Sequence, residues 1–377
     1  ITVNPIVSEI ASWYEKLRNA MEYRQDEVVL QTTILRILKR RTFLSSGKNI
    51  GEPLIRELIW ARYLPDGSVP EEAIQKVDEK IRLYLELRHH IINSNIMQEH
   101  DATTWINHLM SSDLERMLNP NHEREAVANF IFHSLRQNIT LENEKEETTD
   151  VQLYIAIRRT YARDNQALLR YNLFRQYFGE FTKDNYSEVA SHFEQASSDI
   201  ERELNYPLRH KLSAYIKRFI PPFLIMEDIF RRKKEEIYKL VENEEEFLKV
   251  IYETCEQKYK GIISKVRRAI VRSVIFILVS KVFFAFAIEG TYDRFVYGSI
   301  LWFSLILNII IPTSLMIIAS FFIATPKRDN TARIAATIRD LLFLDKPRIG
   351  YTVMFSDPKN KRVSFIDIVF TSLWLAT

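Results

Sequence analysis

Two stretches decide the fold: Ala269–Ile288, AIVRSVIFILVSKVFFAFAI, and Val296–Ala324, VYGSILWFSLILNIIIPTSLMIIASFFIA. The first is twenty residues interrupted only by Arg272 and Lys281, and the second is twenty-nine residues without a charge. At about 1.5 Å rise per residue, twenty helical residues cover roughly 30 Å, one hydrocarbon core. Both stretches therefore read as transmembrane helices. The connection Glu289–Phe295, EGTYDRF, is short and polar, which makes the pair an antiparallel helical hairpin spanning 269–324.

The flanks orient it. Lys258, Lys260, Lys265, Arg267, Arg268 and Arg272 crowd the entrance to the first span, and Lys327, Arg328, Arg333, Arg339, Lys346 and Arg348 follow the second. The connection carries only Arg294 against Glu289 and Asp293. Positive residues mark the cytoplasmic side, so both hydrophilic portions are expected in the cytoplasm and the hairpin in the cytoplasmic (inner) membrane. The first basic cluster lies where anionic lipid headgroups would be, each basic residue gaining about 1 kcal/mol there. Topogenic charge alone accounts for that cluster. A third apolar run, Phe365–Ala376, contains Asp367 and is too short to cross a bilayer as a helix. Because the chain begins with Ile1 rather than Met, it reads as a piece at both ends, with 365–377 the start of a third span and an interfacial helix as the alternative.

Composition bounds the rest. The 377 residues are 46% hydrophobic and 27% charged, with net charge +3, eight Gly and the single Cys255. This excludes disorder, collagen-like repeats and a disulfide framework. A net charge so near zero gives no global pull toward nucleic acid, which is not expected as a partner. The mean hydropathy of −0.17 is that of a soluble protein only because the apolar residues gather in the last third.

Upstream of the hairpin, apolar residues recur at three- and four-residue spacing, which predicts an all-α fold: a large helical cytoplasmic domain, 1–222, joined to the transmembrane hairpin. One stripe is Ile10, Trp13, Tyr14, Leu17 and Met21; another is Ile74, Val77, Ile81, Tyr84 and Leu85. Ser68 and Glu71 are spaced as a capping box for the second, with Pro70 in its first turn. Further helices are expected near 27–41, 52–63, 102–118, 122–138, 149–178, 187–205 and 208–219, with breaks at Pro65-Asp66-Gly67, Pro120, the acidic run 142–150 and Pro221-Pro222. From Phe223 to Arg268 a long connecting helix runs into the first span, with Gly261 its one weak point. Residues 325–364 read as a cytoplasmic linker. It holds a short amphipathic helix, Asn330–Leu344, and a small β-hairpin, 351–355 with 362–365, around the turn Asp357–Lys361.

No catalytic, cofactor or metal motif emerges. The eight His fall in no His-Glu-x-x-His pattern, and Ser45-Ser46-Gly47-Lys48 lacks the first Gly and the terminal Ser or Thr of a phosphate loop. What stands out is intramembrane polarity. Lys281 lies about 18 Å from the cytoplasmic end of its span and Asn308 about 18 Å from the other end of its own, so the two could meet near the bilayer middle. Pro312 has no N–H and leaves the Asn308 carbonyl without its helical donor. Lys281 is either structural, as glue paired with Asn308 or with an acid such as Asp367 or as a snorkelling side chain, or lines an ion path; glue is the preferred reading.

The stretch Arg267–Leu342, with RRAIVRSVIFILVSK, the Pro312 span and TPKRDNTARIAATIRDLL, resembles uncharacterised multi-spanning inner-membrane proteins of bacteria with reduced genomes. The resemblance covers about a fifth of the chain. It implies a bacterial inner-membrane protein with further spans, and carries no activity or site residue. The sequence thus leads to an expected membrane-anchored scaffold or assembly component, presenting helical faces to other proteins or to its own copies. A transporter or channel subunit is the alternative, and a membrane-bound enzyme of unknown chemistry the third reading.

Overall fold

The computed structural model describes residues 29–45, 49–233, 236–323, 325–326, 328–343 and 353–355. These are mostly helical, as the apolar spacing predicts. The stripe at 10–21, the strand at 362–365 and the third apolar run with Asp367 lie outside the described residues. The chain divides into two compact units between Ile220 and Pro221.

The first unit is a helical bundle: α1 (Val29–Ser45), α2 (Gly51–Trp60), α3 (Glu72–Asn93), α4 (Glu99–Leu118), α5 (His122–Leu135), α6 (Glu146–Ile157), α7 (Gln166–Phe178), α8 (Tyr186–Leu204) and α9 (Arg209–Ile216). Its centre is α4, which packs against α1, α3 and α7. With neighbours on several sides it buries polar positions as well as apolar ones: Asn107, Ser111, Ser112 and Asp113 alongside Ile106, Leu109 and Met110. The α3 stripe buries Val77, Ile81 and Tyr84, with Ile74 and Leu85 half-buried. Gly51 opens α2 where a Cβ would lie 2.8 Å from the Ile74 carbonyl oxygen, so close approach to α3 requires glycine there.

Four local expectations are corrected. The capping box does not form, because the Ser68 hydroxyl closes the preceding turn on the Pro65 carbonyl (2.7 Å) and α3 begins at Glu72. The single helix expected over 149–178 is two: a π-helical turn, Arg158–Ala162, ends with Arg163 in the left-handed region (φ 57°), and Asn165 caps α7 by accepting from the Leu168 N–H (3.0 Å). Strand β2 (Val353–Phe355) pairs in parallel with β1 (Ile139–Leu141), a segment with no strand expectation, and α6 starts inside the acidic run that reads as a loop.

Entering the second unit, the expected break falls just before the prolines, at 217–219, and Pro221 and Pro222 stand in the first turn of α10 (Ile220–Arg232), because first-turn N–H groups have no helical partner to lose. The long connecting helix is interrupted as well. After the short α11 (Ile237–Glu242), Asn243 caps a new helix, α12 (Glu244–Phe284), by accepting from the Glu246 N–H (3.2 Å). From there the helix runs straight through Gly261. It passes a second π-helical turn, Ala285–Gly290, and ends with α13 (Thr291–Val296), 53 helical residues in all.

The return helix is α14 (Trp302–Ser320), so the turn is Tyr297–Leu301 and not Glu289–Phe295. Gly298 takes φ 72° there, and Asp293, one helical turn back, accepts the Leu301 N–H through Oδ2 (3.1 Å). Both Glu244–Val296 and Trp302–Ser320 are long and apolar enough to cross a membrane, and only 6% of each apolar window is buried. The amphipathic helix expected at 330–344 is α15 (Arg328–Phe343), burying Thr331, Ile334, Ala335, Ile338 and Leu341. It runs antiparallel to the start of α12, where Asn330 Nδ2 donates to Tyr259 Oη (2.8 Å), Arg339 pairs with Glu244 (2.6 Å), and the Phe247 and Phe343 rings lie 5.9 Å apart.

Candidate functional site

On the first apolar helix the buried and half-buried positions Ile277, Lys281, Ala285, Glu289 and Asp293 recur every four residues. A regular α-helix would carry such a series around its circumference, 3.6 residues making one turn. The wider π turn at 285–290 absorbs the surplus and keeps Lys281 and Glu289 on one side. On α14 the matching positions are Leu305, Asn308, Pro312 and Met316. The two stripes face each other, with Leu305 2% exposed and its Cδ1 3.7 Å from where a Gly290 Cβ would stand.

Asn308 finds a partner across the hairpin, but it is Glu289: the Asn308 Nδ2 donates to Glu289 Oε1. Lys281 lies two turns away along the helix, half-buried, and its ammonium makes no hydrogen bond or ion pair among the described residues. Sequence reasoning missed Glu289 because it assigned 289–295 to a polar connection. The signal that could have found it is the unbroken four-residue series from Ile277 to Asp293. The correction also moves Asn308 from the expected depth, since it is six residues past Trp302, about 9 Å along the helix. Pro312 lies inside α14 on the same face, and the Thr313 hydroxyl donates to the Ile309 carbonyl (2.8 Å).

Of the six basic residues before the span, Lys258 pairs with Asp228 (2.9 Å) and donates to the Leu224 carbonyl, and Lys260 pairs with Glu256 (2.8 Å). Arg268 donates to the Ser264 carbonyl (3.3 Å). Lys265, Arg267 and Arg272 are exposed, without side-chain partners among the described residues. Cys255 is buried, and that burial pushes its thiol up to about 11, leaving it protonated and inert at neutral pH.

The helical unit carries polar chemistry in its interior that no motif announces. Arg158, 5% exposed at its side chain, binds Asp164 through Nε (2.6 Å) and Glu125 through Nη1 (2.7 Å), and Asn172 donates to the same Asp164 oxygen (2.9 Å). Burial works against the Arg158 charge, and Asp164, Tyr154 and Glu125 outweigh it. Burial pushes the Asp164 carboxyl up despite the opposing pull of Arg158. Beside them, Glu115 lines a small cavity of about 70 Å³ and is pushed up to about 7, first by burial and then by the charge of Asp164. A carboxyl poised at neutrality can exchange a proton there.

One layer away Asp113 accepts from Tyr84 (3.0 Å) and Tyr171 (2.7 Å) and pairs with Lys80 (3.2 Å). His108, lowered to about 4 by burial and by Arg170, stays neutral and faces the Arg170 Nη1 through Nδ1 (2.8 Å). Among the described residues no three His, Cys, Asp or Glu side chains are grouped to hold a metal ion. No protein-family model, curated protein or solved structure matches the chain.

Proposed function

We propose that the protein is an integral protein of the bacterial inner membrane: a helical hairpin crossing the bilayer anchors a helical cytoplasmic domain that acts as a scaffold or assembly component. The observation that carries this reading is the sorting of the hairpin surface. Phe276, Phe283, Phe303 and Leu315 are 73%, 65%, 81% and 59% exposed, while Lys281, Glu289 and Asn308 turn to the inner face. Water would oppose that sorting and hydrocarbon favours it. The basic residues at the entrance and the aromatic Tyr292, Tyr297 and Trp302 around the turn suit the two interfaces of a bilayer, with the turn outside. The uninterrupted helix from Glu244 to Val296 joins membrane and water-facing segments stiffly, as an anchor for assembly requires.

Native mass spectrometry of the full chain, gently extracted from its own membrane, tests this. Stoichiometric foreign chains are the expected result, and a lone monomer would overturn the scaffold. The inner-face group of Lys281, Glu289, Asn308 and Pro312 favours a second reading, a transporter or channel subunit built from several copies. A lone homo-oligomer whose flux in liposomes is lost on Lys281→Met would replace the scaffold by that reading.

A further inference from the structure

A cavity of about 710 Å³ in the helical unit lies beside the π-helical turn 158–162, where consecutive arginines part company: Arg158 enters the buried acid cluster and Arg159 turns into the cavity. Arg209 and Lys217 join it from α9 and the residue that ends it. None of these three cations has a carboxylate partner among the described residues. Asp164 also lines the cavity, but its carboxylate is engaged by Arg158 and Asn172.

Helix capping explains part of this arrangement. Arg159 Nη2 (3.1 Å) and Arg209 Nη1 (3.5 Å) both donate to the Leu204 carbonyl at the end of α8, where cations are favoured. One carbonyl does not call for two guanidiniums, however, and Lys217 contributes nothing to it. The guanidinium of Arg159 is lowered by burial and by the charge of Arg209, so the two repel each other in the absence of an anion.

We propose that this cavity binds a phosphate-bearing anion, with Arg159, Arg209 and Lys217 supplying the charge and the Ser213 hydroxyl a further donor. Two guanidiniums present forked donors that match phosphate oxygens, and converging cations favour a dianion over a single carboxylate. His210 lines the same cavity, its Nε2 3.3 Å from Arg209 Nε. The volume falls within the roughly 300–1,000 Å³ of small-molecule sites and exceeds what a bare phosphate fills.

The test is calorimetric titration of the full-length protein in zwitterionic nanodiscs with two probes, inorganic pyrophosphate and water-soluble dihexanoyl phosphatidic acid. Binding of either supports the cavity; preference for the second identifies a lipid headgroup as the source, and preference for the first a free phosphate compound. Arg209→Gln is expected to weaken binding about tenfold, the worth of one charged hydrogen bond. Lys217→Gln, at an exposed side chain with no partner to lose, is expected to weaken it about threefold with an unchanged melting temperature. No binding of either probe, or binding undiminished in both variants, would overturn the proposal. Loss confined to Arg209→Gln together with a lowered melting temperature would also overturn it, because lost capping alone would produce that pattern.

Discussion

At Glu115 the protein keeps a carboxyl where little holds its charge: burial and Asp164 raise it to about 7. The folded state then holds its proton more tightly than the unfolded chain, whose value is near 4.5, so stability falls as pH rises from about 5 to 7. Glu115→Gln removes that dependence. The variant is expected to match the wild type near pH 5 and to exceed it by at most about 3 kcal/mol above pH 7, read from paired melting curves across that range. Arg158 behaves in the opposite sense. Arg158→Met leaves Asp164 and Glu125 without their guanidinium, and a loss of about 3 kcal/mol is expected in denaturation of the purified protein. Neither residue was legible beforehand: Glu115 and Asp164 are forty-nine positions apart, and only the packing of α4 against α7 brings them into one interior.

Among the elements, the two long apolar helices and the amphipathic helix α15 were legible because each is written in consecutive or periodic residues. Their ends were not. Polar residues at 289–295 read as a connection, yet an inward-facing Glu289 and a turn-closing Asp293 can stay helical when the facing helix supplies a donor and the turn a backbone N–H. Conversely, Tyr297–Leu301 reads as membrane span although the chain reverses there. The pairing of stripes is testable with cysteines in a Cys255→Ser background. Gly290→Cys with Leu305→Cys is expected to cross-link readily, whereas Phe283→Cys with Leu305→Cys, using an outward-facing partner, should not. Replacing Asp293 by Ala should cost the hairpin about 1 kcal/mol, typical of a lost cap, read as earlier unfolding in detergent titrations.

For the whole molecule, the proposed orientation makes a prediction independent of any partner. Tyr297→Cys, in the turn, is expected to react with an impermeant maleimide in intact cells, while Lys217→Cys, in the helical unit, should react only after lysis. Equal labelling at both positions would defeat the cytoplasmic placement. Replacing the exposed Lys265, Arg267 and Arg272 together by Gln should raise the fraction inserted the wrong way round, seen as lysis-independent labelling at position 217. Fold class was readable at this scale from spacing alone. The basic cavity was not, because Arg159 and Arg209 gain their meaning from a carbonyl at the end of a third helix.

The π-helical turn at 285–290 also gives this chain a spare residue. Deleting Ala287 would relax that turn to ordinary α geometry and leave Lys281 and Glu289 seven apart, still on one side. Deleting Leu278 would instead swing every preceding residue about 100° around the axis relative to the hairpin turn. Length variation among descendants of this sequence should therefore be tolerated in one short window of the helix and purged on the N-terminal side of that window.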